Sequence, residues 1–210
     1  MSRVEALVVG GGLAGAAAAI VLARAGRSVV LLEKEPSAKP KVCGEFLSAS
    51  ALASLSELGC DAVELGAVPL DTFRMAARGR AVSVALPFQA ASVTRAALDE
   101  ALLAKAARAG ATVLRGAAVR TISRDDGGWR ADTAHTAYSA DSLLLATGKS
   151  DLKERRRGTG LHDGMVGLKR YGHGAGATTS IDIALFPGGY CGIQPVEDGR
   201  LNVCLAVSAR

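Results

Sequence analysis

The chain has 210 residues, 49% of them hydrophobic and 21% charged, with 25 basic against 20 acidic side chains for a net charge of +5. That length buries roughly 70% of the unfolded surface, and the composition excludes disorder, collagen and low-complexity scaffolds. The positive charge is scattered and aromatic residues are only 4%, so no nucleic-acid surface is expected.

The first element in chain order is a short apolar strand, Ala6 to Val9, that ends on a glycine cluster. An Ala- and Leu-rich helix from Leu13 to Ala25 follows, stopped by Gly26. A second β-branched run, Ser28 to Leu32, closes on Glu33. Strand, glycine turn, helix and strand make a βαβ unit of the parallel, doubly covered kind. Gly10, Gly12 and Gly15 form G-x-G-x-x-G. The first glycine permits a tight turn, the second lets a pyrophosphate approach the backbone, and the third lets helix and strand pack closely. Leu13 and Ala14 then open a helix whose free N–H groups suit phosphate. Glu33 lies 18 positions after Gly15, where a carboxylate can accept hydrogen bonds from a ribose diol and disfavours a 2′-phosphate. Glu33 with Lys34 favours FAD or NAD over NADP.

The segment Lys41 to Ser48 leads into a helical stretch ending near Gly59. Leu65 to Leu86 reads as two strands turning at Arg78-Gly79-Arg80. A helix from Ala96 to Ala109, capped by Gly110, comes next, then strands at Ala111 to Leu114 and Ala118 to Ile122. Trp129 to Asp132 and His135 to Tyr138 suggest a hairpin, and Ser142 to Ala146 a buried strand ending in Thr147-Gly148. Four further strands are expected at Met165 to Tyr171, Ile181 to Phe186, Tyr190 to Pro195 and Leu201 to Val207. Gly172 to Gly176 reads as a flexible loop, and the basic run Lys153 to Arg157 as a solvated one.

Cys43, Cys60, Cys191 and Cys204 form no CxxC pair, and His135, His162 and His173 lack ligand spacing, so no metal site is expected. Reduced thiols point to a cytoplasmic protein. No stretch reaches about 18 uninterrupted apolar residues, so no integral membrane segment is expected, while peripheral contact stays open.

Taken in order, the glycine loop with Glu33, VCGEFLS, VTRAALDEALLAKAARAGA, LLLATGKSD and FPGGYCGIQPVEDGRLNVCLAV resemble the FAD-dependent oxidoreductases of the geranylgeranyl-reductase-like and flavin-monooxygenase superfamily. The resemblance implies an α/β fold: a Rossmann-type FAD-binding domain with a parallel sheet, and an antiparallel β-sheet substrate domain. The expected boundaries are 1–64 with 88–160 for FAD binding, and 65–87 with 161–210 for a partial substrate sheet. It implies that Arg95 meets the flavin's pyrophosphate and ribityl chain, where a guanidinium offers several fixed donors. It also implies that Val119 meets the adenine through its backbone, that Gly148 lies in a turn beside the cofactor, and that Cys43 and Gly44 lie near the flavin ring. Cys43 could tune the flavin, Glu45 could donate a proton, and Tyr190 could line a pocket. The family's Tyr-x-Trp-x-Phe-Pro pattern is Tyr190-Cys191-Gly192-Ile193-Gln194-Pro195 here, which implies a wider and more polar pocket.

The expected activity is FAD-dependent reduction of a C=C bond, or hydroxylation, of a small or lipid-like organic substrate. Only one fingerprint is present, so reduction would come from transient NAD(P)H docking or an electron-carrier protein. The family continues past this length into a Gly-Asp segment that completes the flavin cradle. A fragment or a shortened, weaker FAD binder is therefore expected, and a truncated, non-catalytic nucleotide-binding module is the alternative. A dehydrogenase using NAD alone is disfavoured by the hairpins that follow the first βαβ unit.

Overall fold

A computed structural model describes residues 3–125, 127–150, 152, 164–174 and 178–209. In chain order the elements begin β1 (Val4–Val9), α1 (Leu13–Arg24), β2 (Val29–Glu33), β3 (Phe46–Leu47), α2 (Ala49–Glu57), β4 (Val68–Ala77), β5 (Arg80–Ser92) and α3 (Arg95–Arg108). They continue with β6 (Thr112–Arg115), β7 (Thr121–Asp125), β8 (Gly128–Asp132), β9 (Ala137–Leu145), β10 (Met165–His173), β11 (Ser180–Phe186), β12 (Gly189–Val196) and β13 (Arg200–Ser208). Contacts divide the chain into two compact units, Met1–Lys39 with Asp99–Gly158, and Pro40–Leu98 with Thr159–Arg210. Residues 40–64 and 88–98 thus pack with the second unit, although the functional boundaries read from the sequence assign them to FAD binding.

The first unit holds a six-stranded sheet in the order β6-β2-β1-β9-β8-β7. β1 runs parallel to both β2 and β9, and β2 parallel to β6. The apolar runs of β1 and β2 are continuous because both of their faces are covered. Leu7, Val30 and Leu32 pack with Ile122, Ala131 and Ala140 in one buried cluster, with Val119 partly buried against it. Ala16, Ala19 and Ile20 of α1 are also fully buried. Side chains such as Leu7, Leu31 and Ile20, at 0% exposure, each contribute about 1.5–3 kcal/mol.

Two expectations change here. His135 to Tyr138 and Ser142 to Ala146 are not separate strands: β9 runs unbroken, pairing antiparallel with β8 through Ala137 to Ala140 and parallel with β1 through Ala140 to Leu145. The expected strand over Ala118 to Ile122 begins only at Thr121, so Val119 lies in the link before β7.

The second unit holds a seven-stranded sheet in the order β10-β13-β12-β11-β4-β5-β3. It is mixed rather than antiparallel as expected, because β11 lies parallel to β4. The β4–β5 turn is made by Arg78 and Gly79, with φ of 50° and 74°. Positive φ at both positions matches the right-handed twist of a tight hairpin. Gly172 and His173, expected in a loop, are the last residues of β10. Residues 175–177 and the basic run at 153–157 lie outside the described residues.

Candidate active site

The first unit gathers its glycines at the carboxyl ends of its parallel strands. β2 lies on one side of β1 and β9 on the other, and doubly wound sheets bind ligands where the strand order reverses in this way. Gly10 has φ of 107°, and a Cβ on it would come within 2.3 Å of the Ala146 carbonyl oxygen. A Cβ on Gly15 would fall 1.8 Å from the Gly10 carbonyl oxygen. Backbone meets backbone at both places, so no larger residue fits without moving the loop.

Gly12 is the N-cap of α1 and supplies no side-chain hydrogen bond; the first turn holds no acid. The other two helices differ. Ser48 Oγ accepts from the Ala51 N–H at 3.3 Å, and Thr94 Oγ1 from the Ala97 N–H at 3.3 Å. Among the helices of the described residues, only the α1 terminus, starting at Leu13 and Ala14, leaves its N–H groups and positive dipole end unclaimed by a cap side chain. Glu33 is already aimed at this loop. Its Oε2 accepts from the Gly11 N–H at 2.6 Å and its Oε1 from the Glu35 N–H at 2.9 Å. Glycines that admit no side chain, an uncapped helix start and a fixed carboxylate suit a diphosphate and a ribose. Lys34 is exposed and its Nζ donates to Ser150 Oγ at 3.1 Å. Gly148, φ 63°, has open space where a Cβ would stand.

The second unit carries a different chemistry. Glu45 has φ of 62° and is 3% exposed, not the solvated charge its residue type suggests. Its Oε1 forms an ion pair with Lys169 Nζ, whose side chain is 5% exposed. The same oxygen accepts from the Tyr171 hydroxyl at 2.7 Å and from the Arg95 N–H at 2.7 Å. Lys169 Nζ also donates to the Tyr171 oxygen at 2.8 Å. The Glu45 N–H donates to Cys43 Sγ at 3.3 Å, and Asn202 Nδ2 donates to the carbonyls of Cys43 and Gly44 at 3.1 and 2.9 Å. Glu45 Oε2 and Asn202 Oδ1 are buried and have no partner among the described residues. Burial, then the hydrogen bond and charge of Glu45, push the Tyr171 phenol above its ordinary 10.0. Burial raises the Cys204 thiol, with the neighbouring Cys43 and Glu45 adding to the effect and Lys169 opposing it.

Of the residues singled out in sequence, the structure gathers Gly10, Gly12, Gly15 and Glu33 in one unit, and Cys43, Gly44, Glu45 and the Arg95 backbone in the other. Tyr190 begins β12 at 45% exposure and makes none of these contacts. Lys169, Tyr171 and Asn202 were missed. Their signal is faint: Lys169 and Tyr171 alternate along an expected strand and so share one face, opposite the apolar Val166 and Leu168.

The family model described as the FAD binding domain matches residues 3–145. The chain belongs to the FAD-binding domain family. FAD is the cofactor of this family, and FAD is the cofactor of this chain. A menaquinone reductase of Mycobacterium tuberculosis is 28% identical over 95% of this chain. The match takes in 54% of that protein, so the chain spans about half its length. Among solved structures, a myxobacterial FAD-dependent chondrochloren halogenase superposes with a TM-score of 0.85 at 20% identity, covering 99% of this chain and 53% of that one. A geranylgeranyl bacteriochlorophyll reductase-like protein of Thermoplasma acidophilum gives 0.78 at 23%, covering 99% and 57%. At these identities the structures establish the fold. None of this chain's described helices is long and apolar enough to cross a membrane.

Glu33→Arg is expected to weaken FAD binding roughly tenfold or more, by setting a cation where ribose hydroxyls need an acceptor. Titration of the apoprotein with FAD, followed by quenching of flavin fluorescence, measures this. Unchanged affinity would remove Glu33 from the site.

Proposed function

We propose that this chain is the flavin-binding part of an oxidoreductase that reduces a C=C bond in a lipid-like, quinone-type substrate. The observation that carries this reading is one transverse row of the second sheet. Strand register aligns Lys169, Cys204, Gly192, Ile183, Met75 and Val82 side by side. One end of the row is the buried Glu45–Lys169–Tyr171 group and the rest is small or apolar. At about 4.8 Å per strand the row runs about 24 Å, enough for a polar ring at one end and an apolar tail along the remainder. Gly192 keeps the middle low, since a Cβ there would stand 3.3 Å from Ile183 Cδ1.

In this proposal Glu45, Lys169 and Tyr171 hold a proton for the substrate carbon or oxygen, and Cys43 and Gly44 shape the wall above them. Residues 65–87 and 161–210 form the substrate side. Arg95, Val119 and Gly148 take up the cofactor contacts that the family resemblance implies. FAD, when bound, supplies hydride transfer. Its electrons come from NAD(P)H docking transiently or from a carrier protein. The similarity to a menaquinone reductase supports the substrate class. The four free cysteines fit a reducing compartment, the cytoplasm.

The test incubates the FAD-loaded chain with NADH or NADPH and a prenylated naphthoquinone, then weighs the product. A gain of two hydrogens that persists after any quinol has been reoxidised in air supports C=C reduction, a gain lost on reoxidation means reduction of the quinone ring instead, and a gain of one oxygen supports hydroxylation. Bound FAD with no turnover under any reductant, including dithionite, supports a non-catalytic nucleotide-binding module.

A further inference from the structure

We propose that one end of the seven-stranded sheet is a docking edge for an anionic lipid bilayer. Four structural features meet at this end. The β4–β5 turn carries Arg78 and Arg80. Leu185 of β11 pairs with Ala77, which brings the Pro187-Gly188 turn beside that hairpin. Val207 of β13 pairs with Gly189, and Val166 of β10 with Val207, so both strands reach the same end.

Large apolar side chains crowd this end and face solvent. Val82, Met165, Val166, Leu185, Phe186 and Tyr190 are each between 40% and 55% exposed. Isolated exposed apolar residues are ordinary, but a contiguous group of them marks a surface that meets something. The charge is one-sided as well. The described residues 72–86, 164–174, 185–196 and 201–209 contain no Asp or Glu, whereas Arg74, Arg78, Arg80 and Arg170 lie among them. Arg78 and Arg80 make no ion pair among the described residues. The nearest acid in these strands is Asp182, three residues back along β11 from Leu185 and 3.8 Å from Arg74. The acidic turn, Glu197-Asp198, lies at the opposite end of the sheet.

A protein partner would meet this end with a shaped complement, but the end is made of turns and strand tips rather than a groove. Strand-end residues that include Phe186 and Tyr190, flanked by arginines and with no acid beside them among the described residues, suit the headgroup level of a bilayer. There the rings and aliphatic groups enter the acyl boundary and the guanidiniums meet lipid phosphate. This inference stands on the second unit alone and does not require the flavin reading.

Vesicle sedimentation of the full chain tests it, with phosphatidylcholine alone or mixed with phosphatidylglycerol. Binding to the anionic vesicles is expected, with much weaker binding to the neutral ones and a steep decline as salt rises. The R78E/R80E variant should bind about tenfold or more weakly. The V82S/F186S variant should also bind about tenfold more weakly, although it keeps every charge. Melting temperatures and circular dichroism establish that both variants are folded. No binding to anionic vesicles would overturn the proposal. So would binding unaffected by either variant, or self-association through this edge that leaves vesicles untouched.

Discussion

Replacing Gly15 by valine is expected to raise the dissociation constant for FAD at least a hundredfold. A Cβ at this position falls 1.8 Å from the Gly10 carbonyl oxygen and 3.2 Å from the Ala146 Cβ. The first neighbour is backbone and cannot rotate away, so the helix must retreat from β1 or the loop must open. Either movement separates the N–H groups of α1 from the place where phosphate would rest. Overpacking of this kind costs about 1–3 kcal/mol in stability as well, a fall in melting temperature of roughly 5 °C for a chain of this size. Gly26→Ala is the control. Gly26 has φ of 75° with nothing within 4 Å of its would-be Cβ, and it lies just beyond the far end of α1. That substitution strains the backbone but leaves the loop alone, so FAD affinity should barely move. Equal losses from both variants would mean that the loop has no special part in binding.

Lys169→Met is expected to destabilise the protein by about 3–5 kcal/mol, read as a lower denaturation midpoint in urea. The reason is the side chain left behind. Glu45 is 3% exposed, and methionine would strip the cation from its carboxylate while Oε2 already has no partner among the described residues. Removing both charges in Glu45→Gln/Lys169→Met should restore much of the loss, because a neutral amide can still accept from Tyr171 and from the Arg95 N–H. A double variant as unstable as the single one would show that the ion pair is not the source of the effect. The same cluster predicts a response to alkali. The folded Tyr171 phenol titrates above its ordinary 10.0, chiefly because it is buried and then because Glu45 accepts its proton. Above about pH 10 the unfolded chain releases that proton while the folded chain retains it. The contribution is complete below pH 10 and is lost as pH climbs beyond it. Tyr171→Phe should flatten this alkaline slope.

The glycine loop and its acid were legible because their signals are local. Gly10, Gly12 and Gly15 act within one turn, and Glu33 is placed by the length of a single helix and strand. The buried cluster around Glu45 was legible only in part. Cys43, Gly44 and Glu45 were noticed, with Glu45 as a candidate proton donor, but nothing in the sequence marked Glu45 as buried, since carboxylates are seldom buried unless paired. Its partners lie 124 and 126 residues further on, at Lys169 and Tyr171. Nothing in the segment around residue 45 specifies them.

The strands show the same division. Alternation and glycine turns located β4, β12 and β13 closely and the start of β5, which runs six residues past its expected end to Ser92, because periodicity and turn chemistry are properties of neighbouring residues. They said nothing of β11 joining β4 in parallel, or of β9 serving two neighbours along one unbroken strand. Those outcomes depend on which strand edges remain unpaired once the hairpins have formed, and no short window of residues holds that information. Hydrogen bonds between distant strands thus decided where Glu45 is buried, which polar groups meet it and which apolar residues share its face. The residues themselves had already settled that a glycine-lined helix start would face an acid at the end of the next strand.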